Sequence, residues 1–508
     1  MLLVRLCVIS NIFVEPFLLP LLRQSFQPDP VEVEFIDWAD AYTTLEYTRG
    51  SDLVVVLPNL DALIPNWYLL AGTEKGLIDT LIHECQSVYQ TLRNTMVCPI
   101  IWFGFEGDSN PQYHVCGLAD ALYRIIGEVN HQLSVMFEPG DAFLDIRHLL
   151  VSIGADNAYD VKNKYRWNQP YSQMMMQAIA QEINKQHRIL YGKGKKCLVL
   201  DCDGVLWGGV LAEDGIERIQ LGNEGRGRQY QDFQRFLLSL YQHGVLLAVC
   251  SKNDLSAVQE VFRTHSGMVL QERHIVTFQV NWESKSLSIR RIAQMLGIAL
   301  DSLVFVDDTE AELEAVRAEL PEVLTVPYHR ETVYKALSCF SLSSEMDLLR
   351  VEQRMDAYRS NRLRQDQCVC SETDKANLHS KKKSIDIHQA HLSEATRIAE
   401  LSQRTNRCTN GKRYSVAEVI ACMKNPSYEL YSVYVSDQYS DLGLVGVFGL
   451  QDTTLDLFAL SCRALGCNIE KEMISMVREK HCTDGFFEDT GRNEALKQLL
   501  NGLLYLNR

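Results

Sequence analysis

The sequence lacks any uninterrupted apolar run of about twenty residues, the length a helix needs to cross a bilayer, so no membrane span is expected. It also lacks an excess of positive charge: 50 Lys and Arg stand against 65 Asp and Glu, a net charge of -15. A chain so acidic is repelled by the phosphates of nucleic acids and anionic lipids, and neither is expected as a partner. Phosphorylated metabolites are not excluded, because a bound divalent ion and a few local cations can dominate the field inside a site. Fifteen cysteines are present, yet there is no C-x-x-C pair, and Cys368 and Cys370 stand too close for a zinc half-site. Scattered thiols in a chain of this size read as reduced cysteines in a cytoplasmic protein rather than a disulfide scaffold. The apolar stretch from Met1 to Leu22 carries Glu15, two prolines and no small-residue cleavage site, which argues against a signal peptide or anchor. Internal repeats and long low-complexity tracts are missing too.

What is there fits a folded enzyme of several domains. The chain has 508 residues, 46% hydrophobic and 23% charged, more than one hydrophobic core usually organises. Over residues 1–165, the apolar runs Leu2–Ile9, Leu53–Leu57, Pro99–Phe105 and Leu133–Phe137 read as buried strands among amphipathic segments, with Val14–Phe26 as the first helix. That pattern predicts an open parallel α/β sheet. A second α/β unit is expected over 190–335, with strands Lys196–Leu200, Val245–Cys250 and Leu303–Val306. Residues 336–380 read as a helical arm and linker, with Leu348–Arg364 helical. The basic run Lys381–Lys383 reads as a solvated surface. Residues 381–508 mix helical and strand patterns, including Tyr431–Val435, Leu444–Leu450 and Thr454–Leu460.

The chemistry concentrates in the second unit. Lys196–Leu200 delivers Asp201-Cys202-Asp203-Gly204 at a strand end, where open α/β sheets bind ligands. A D-x-D spacing alone arises easily by chance, and turn carboxylates often only cap loops. Three further features end strands in the same way. Ser251 offers a hydroxyl to a phosphoryl oxygen. Lys285 offers a cation that balances charge on a transferring group. Asp307 and Asp308 complete a hard oxygen set of the kind that binds Mg²⁺.

The order D-x-D, Ser, Lys, Asp-Asp resembles the four signature motifs of the haloacid dehalogenase superfamily. The resemblance implies that Asp201 attacks phosphorus and Asp203 protonates the leaving oxygen and later activates water, with Ser251 and Lys285 holding the phosphoryl group. It also implies Mg²⁺ bound by the Asp201 carboxylate, the Asp203 carbonyl and the Asp307–Asp308 pair, Asp308 being favoured. Val205 departs from the frequent Thr of that motif. The intervening segments Leu206-Trp207-Gly208-Gly209-Val210-Leu211, Cys250-Ser251-Lys252-Asn253-Asp254 and Asn281-Trp282-Glu283-Ser284-Lys285 are similar to the FkbH-like family. Weaker similarity continues into Lys412-Arg413-Tyr414-Ser415 and Arg463-Ala464-Leu465-Gly466.

That resemblance implies a phosphatase-like core, a C-terminal region like GNAT acyltransferases, and a reaction on 1,3-bisphosphoglycerate. Its phosphates are lost and the glyceryl group passes to the phosphopantetheine thiol of a holo acyl carrier protein. Cys250 is the best-placed thiol for a transient glyceryl thioester. Neighbours on a strand face opposite ways, however, so a buried core thiol is the other reading. Cys202, between two carboxylates, is disfavoured as a thiolate. Arg463 and Gly466 match an anion-binding turn before a helix that would dock the phosphopantetheine arm, although Asn468 stands where a small residue is expected. In the N-terminal unit, Ser10, Asn59 and the pair Asp145/His148 invite a hydrolase reading of the SGNH type. No Gly-Asp-Ser context surrounds Ser10, and a non-catalytic, flavodoxin-like domain is expected instead. Two alternatives to glyceryl transfer stand: a simple phosphatase on a small sugar or acid phosphate, and an inactive scaffold with a phosphatase-like fold.

Overall fold

The computed structural model describes residues 3–43, 50–65, 74–107, 118–138, 140–191, 194–340, 352, 384–405, 407–436, 441–461, 464, 469–490, 493–501 and 505–507. The chain groups into two compact units, Met1–Tyr191 with Tyr414–Lys424, and Gly192–Arg413 with Asn425–Arg508. The first unit thus runs beyond residue 165 through the helix Gln173–Leu190, and it takes in the helix Val416–Lys424 from the C-terminal part of the sequence.

The first unit holds a parallel sheet of β1 (Val4–Ser10), β2 (Val31–Asp37), β3 (Leu53–Leu57), β4 (Ile100–Phe103) and β5 (Ala142–Leu144), ordered β2-β1-β3-β4-β5. β3 and β4 are buried along their whole length, as strands covered on both faces must be. β2 is an edge strand whose Val-Glu alternation keeps charge on its open face. The strand expected at Leu133–Phe137 is corrected: Leu133 lies in the last turn of the helix Leu118–Ser134, and the fifth strand lies further on. Leu122, Ile125, Ile126, Val129 and Leu133 follow helical spacing and are buried together, whereas Val135 is 73% exposed. The helix Gln173–Leu190 buries Met175, Met176, Ile179, Ala180 and Ile183 against the core beside β1 and β3.

The second unit contains two sheets. The first joins β6 (Cys197–Leu200), β7 (Leu246–Ser251), β8 (Ile275–Val280), β9 (Leu303–Asp307) and β10 (Leu324–Pro327), all parallel, in the order β10-β9-β6-β7-β8. β6, β7 and β9 are wholly buried and lie side by side, so the residues ending them converge at one edge. The second sheet is mixed: β11 (Ser384–Gln389), β13 (Tyr428–Ser436), β14 (Asp441–Gln451) and β15 (Thr454–Leu460) pair antiparallel. The two-residue β12 (Cys408–Thr409) also pairs with β15, and β16 (Asp484–Phe486) and β17 (Tyr505–Asn507) continue the sheet in parallel. The arm expected at 348–364 and the basic run Lys381–Lys383 lie outside the described residues. No helix among the described residues is long and apolar enough to cross a membrane.

Arg413 closes the helix Ala395–Arg404, its guanidinium donating to the carbonyls of Ser402, Gln403 and Thr405, at 2.9 Å to Gln403 and 2.6 Å to Thr405. These are carbonyls of the helix's last turn, which find no partner inside the helix. Arg413→Ala is expected to lower stability by about 2–3 kcal/mol, from charged hydrogen bonds lost at buried carbonyls. Urea denaturation of the variant checks this, and a midpoint equal to wild type would contradict it.

Candidate functional site

Asp201 follows β6 directly, its backbone N–H donating to the Val306 carbonyl of β9 at 3.0 Å. The chain then turns at once. Leu206 N–H reaches the Cys202 carbonyl at 2.8 Å, and Gly204 takes φ +71°. Glycine is required at 204 for a second reason: a Cβ there would lie 2.0 Å from Oδ2 of Asp308. The turn's backbone is therefore pressed against the carboxylate that ends the β9 segment.

Lys285 enters as the first residue of the helix Lys285–Leu296, whose N-cap Ser284 accepts from Leu287 N–H. Its ammonium sits 2.5 Å from Asp307 Oδ2 and 3.0 Å from Asp201 Oδ2. All three groups are buried, Lys285 to 5% and Asp307 to 0% exposure. The other Asp307 oxygen accepts from Thr309 N–H at 2.9 Å. Asp308, exposed, accepts from the Thr309 hydroxyl. Two buried carboxylates thus contact one ammonium, with Asp308 beside them, and the electrostatics follow. Burial pushes the Asp201 carboxyl up to about 6, with Lys285 opposing and Asp307 adding to the rise. Burial and then Asp307 raise Asp308. For Lys285, burial acts downward, but Asp201 and Asp307 outweigh it and hold the ammonium above the usual lysine value.

The fit to a divalent cation is visible in two ways. Asp201, Asp307 and Asp308 can each bring one carboxylate oxygen within 4.8 Å of the others. Oδ1 of Asp201 is buried and meets no hydrogen-bond donor among the described residues, which costs free energy unless a cation fills that direction. The donors are all hard oxygens and carry more negative charge than Lys285 offsets, as suits Mg²⁺ rather than a thiolate-seeking metal.

Asp203 belongs to the same edge but not to the carboxylate cluster. Its Oδ1 accepts from Trp207 Nε1 at 2.7 Å and from Leu211 N–H at 3.2 Å, and its Oδ2 from Asn253 Nδ2 at 2.9 Å. Ser251 ends β7, 3% exposed, with Asn253 Nδ2 3.3 Å from its hydroxyl. At the rim, Lys252 pairs with Glu312 at 2.5 Å. Asn253, Lys252 and Glu312 belong to none of the four signature motifs. Asn253 stands two residues after the motif serine, inside the segment Cys250-Ser251-Lys252-Asn253-Asp254 that carries the family resemblance.

Cys250 is corrected. Its thiol lies in the core, 1% exposed and 3.9 Å from the Lys285 carbonyl, and burial pushes it up to about 12. A thiol so placed stays protonated and has no open approach, which fits the core reading and not the nucleophile. Cys202, fully buried, is raised further by Asp201 in addition to burial. Arg463, Gly466 and Asn468 lie outside the described residues. In the first unit, the Ser10 hydroxyl donates to the Leu57 carbonyl at 2.8 Å, and Asp145 is clamped by Arg147 through Nε at 2.8 Å and 3.0 Å. Ser10 and Asp145 therefore meet backbone and arginine rather than assembling a relay with His148.

No protein-family model matches the chain, and no curated protein matches it. Among solved structures, the N-terminal part of the protein BF1531 from Bacteroides fragilis, described as containing a phosphatase domain and complexed with Mg, is similar to it. Identity is 23%, over 66% of this chain and 94% of that one, with a TM-score of 0.58. An uncharacterized protein from Corynebacterium glutamicum is 18% identical over 30% of this chain and 99% of its own, at a TM-score of 0.22. The first likeness shows a shared fold.

Proposed function

We propose that the chain is a Mg²⁺-dependent phosphatase and glyceryltransferase that releases phosphate from 1,3-bisphosphoglycerate and loads the glyceryl group onto a holo acyl carrier protein. The observation that carries the phosphatase half is the cluster of Asp201, Asp307 and Asp308, with the Lys285 ammonium against Oδ2 of Asp201 and of Asp307 while Oδ1 of Asp201 is buried with no donor among the described residues. The Mg-complexed neighbour supports the choice of ion. Mg²⁺ would be held by Asp201, the Asp203 carbonyl, Asp308 and Asp307, and when bound it withdraws charge from the phosphoryl oxygens.

The residues divide the remaining work. Asp201 attacks phosphorus. Its new O–P bond forms as the bond to the leaving oxygen breaks, and the Asp203 proton passes to that oxygen. In the return step Asp203 takes a proton from water, which attacks the aspartyl phosphate and frees inorganic phosphate. Lys285 balances the charge of the nucleophile, and the Ser251 hydroxyl donates to a phosphoryl oxygen. The acyl phosphate at C1 is already activated toward a thiol, whereas the ester at C3 needs this machinery.

The glyceryl half rests on the sequence segments around Trp207, Cys250 and Trp282 and on their similarity to the FkbH-like family. The thiol acceptor is that of the carrier, since the Cys250 thiol lies in the core and its burial disfavours the thiolate. Incubation with 1,3-bisphosphoglycerate, Mg²⁺ and holo carrier is expected to add one glyceryl mass to the carrier. Phosphate release with no adduct on any carrier encoded beside the gene would leave a simple phosphatase. Neither product would leave a scaffold.

A further inference from the structure

Asp203 is held in a way that singles out one of its two oxygens. Oδ1 receives two N–H groups, the indole of Trp207 at 2.7 Å and the backbone of Leu211 at 3.2 Å. Both groups can only donate. Leu211 opens the short helix Leu211–Asp214, whose N-cap Val210 has no side chain to offer, so the Asp203 carboxylate takes the cap's place. Trp207 is fully buried and fixed edge-on against Phe262, with ring centroids 6.5 Å apart. The segment bearing both donors is itself pinned. Gly208 and Gln220 exchange backbone hydrogen bonds at 3.1 and 2.8 Å, and Gln234 from the helix Gly227–Gln242 donates to the Leu206 carbonyl at 2.8 Å.

Oδ2 has a different neighbour. Asn253, 3% exposed, spans Asp203 Oδ2 at 2.9 Å and the Ser251 hydroxyl at 3.3 Å with the same amide nitrogen. It ties the acid/base carboxylate to the serine loop after β7. An amide is also reversible as a partner: turned over, its carbonyl accepts from a carboxylic O–H. Two donor-only groups on Oδ1 leave no direction there for a proton, while Asn253 can meet Oδ2 in either state.

We propose that Trp207 and Asn253 are positioning residues that orient Asp203 so that Oδ2 alone hands the proton to, and takes it back from, the reacting oxygens. This rests on the phosphatase reading above. In the transfer step the phosphorus–oxygen bond of the leaving group breaks, and the proton on Oδ2 moves to that oxygen. In the return step Oδ2 receives one proton from water. The requirement for this proton depends on the leaving group: an alkoxide needs it, whereas 4-nitrophenolate departs without it.

That dependence supplies the test. With Mg²⁺, kcat/KM is measured on glycerol phosphate and on 4-nitrophenyl phosphate for wild type, Trp207→Phe, Asn253→Ala and Asp203→Asn. kcat/KM reports the transfer step alone. Each positioning variant is expected to lose about 10- to 100-fold on glycerol phosphate, part of the whole contribution of a general acid. On 4-nitrophenyl phosphate it should lose less than about threefold. A partly misfolded variant loses the same factor on both substrates, so the ratio between them is untouched by folding. If Trp207→Phe does not fold, Asn253→Ala carries the test. Ratios within about twofold of wild type in the variants that fold, with Asp203→Asn still discriminating, overturn the inference alone. An Asp203→Asn variant losing equally on both substrates, or a wild type inactive on both, overturns the phosphatase reading and the inference with it.

Discussion

Asp201→Asn is expected to lower phosphate release by on the order of 10⁴-fold or more, the scale on which nucleophile removal acts, while the metal-free variant melts at a higher temperature than wild type near pH 7. The two effects have one origin. Wild-type Asp201 is a buried carboxylate with one oxygen that no donor meets, and its carboxyl is pushed up to about 6. Its proton is therefore bound more tightly in the folded than in the unfolded chain. As pH rises from about 4, the unfolded state gives up this proton first, and the folded state loses stability until its own group ionises near 6. Above that the penalty stays constant. The asparagine side chain of the variant does not titrate and carries no such penalty, so the stability difference in its favour should open between about pH 4 and 6 and then level off. Calorimetry of both proteins in chelator across that range reads it. A parallel pair of curves would show that Asp201 carries no strain. A site that trades stability for reactivity is where such a penalty is expected.

Much of the fold was legible because burial on both faces leaves a plain mark. Leu53–Leu57 and Thr454–Leu460 match their strands residue for residue. The strand ends at Leu200, Ser251 and Asp307 fall where the polar motifs begin. Leu133–Phe137 alone has the look of a buried strand, but the helical spacing from Leu122 onward places Leu133 in the last turn of a helix. The motifs could name Asp201, Asp203, Ser251, Lys285 and the Asp307–Asp308 pair from order alone. They could not say how Asp203 is held, because Trp207 and Asn253 are brought to it by the turn after β6 and the loop after β7, from 4 and 50 residues away. Nor could alternation along β7 decide the direction of Cys250: it took the packing of the helix Lys285–Leu296, whose first carbonyl lies against the thiol.

Lys285→Met is expected to be the most destabilising single change at the site. The lysine is 5% exposed and contacts both Asp201 and Asp307, so its removal leaves buried carboxylates facing one another with no cation between them. Breaking a buried pair from one side typically costs about 3–5 kcal/mol, because the remaining charge is neither solvated nor paired. Methionine fills similar volume, so little of the loss comes from a cavity. The loss should be largest in metal-free protein near neutral pH, above the value of about 6 to which Asp201 is raised. It should shrink at acidic pH, where Asp201 and Asp308, both raised by burial, take up protons. Mg²⁺ should then recover more stability in the variant than in wild type, since a cation entering the cluster replaces part of what the ammonium supplied. Phosphate release should still fall, because no positive side chain remains beside the nucleophile. Thermal unfolding with and without Mg²⁺ separates the outcomes. A loss below about 1 kcal/mol, or one that Mg²⁺ leaves unchanged, would mean that Lys285 and the ion do not share Asp201 and Asp307.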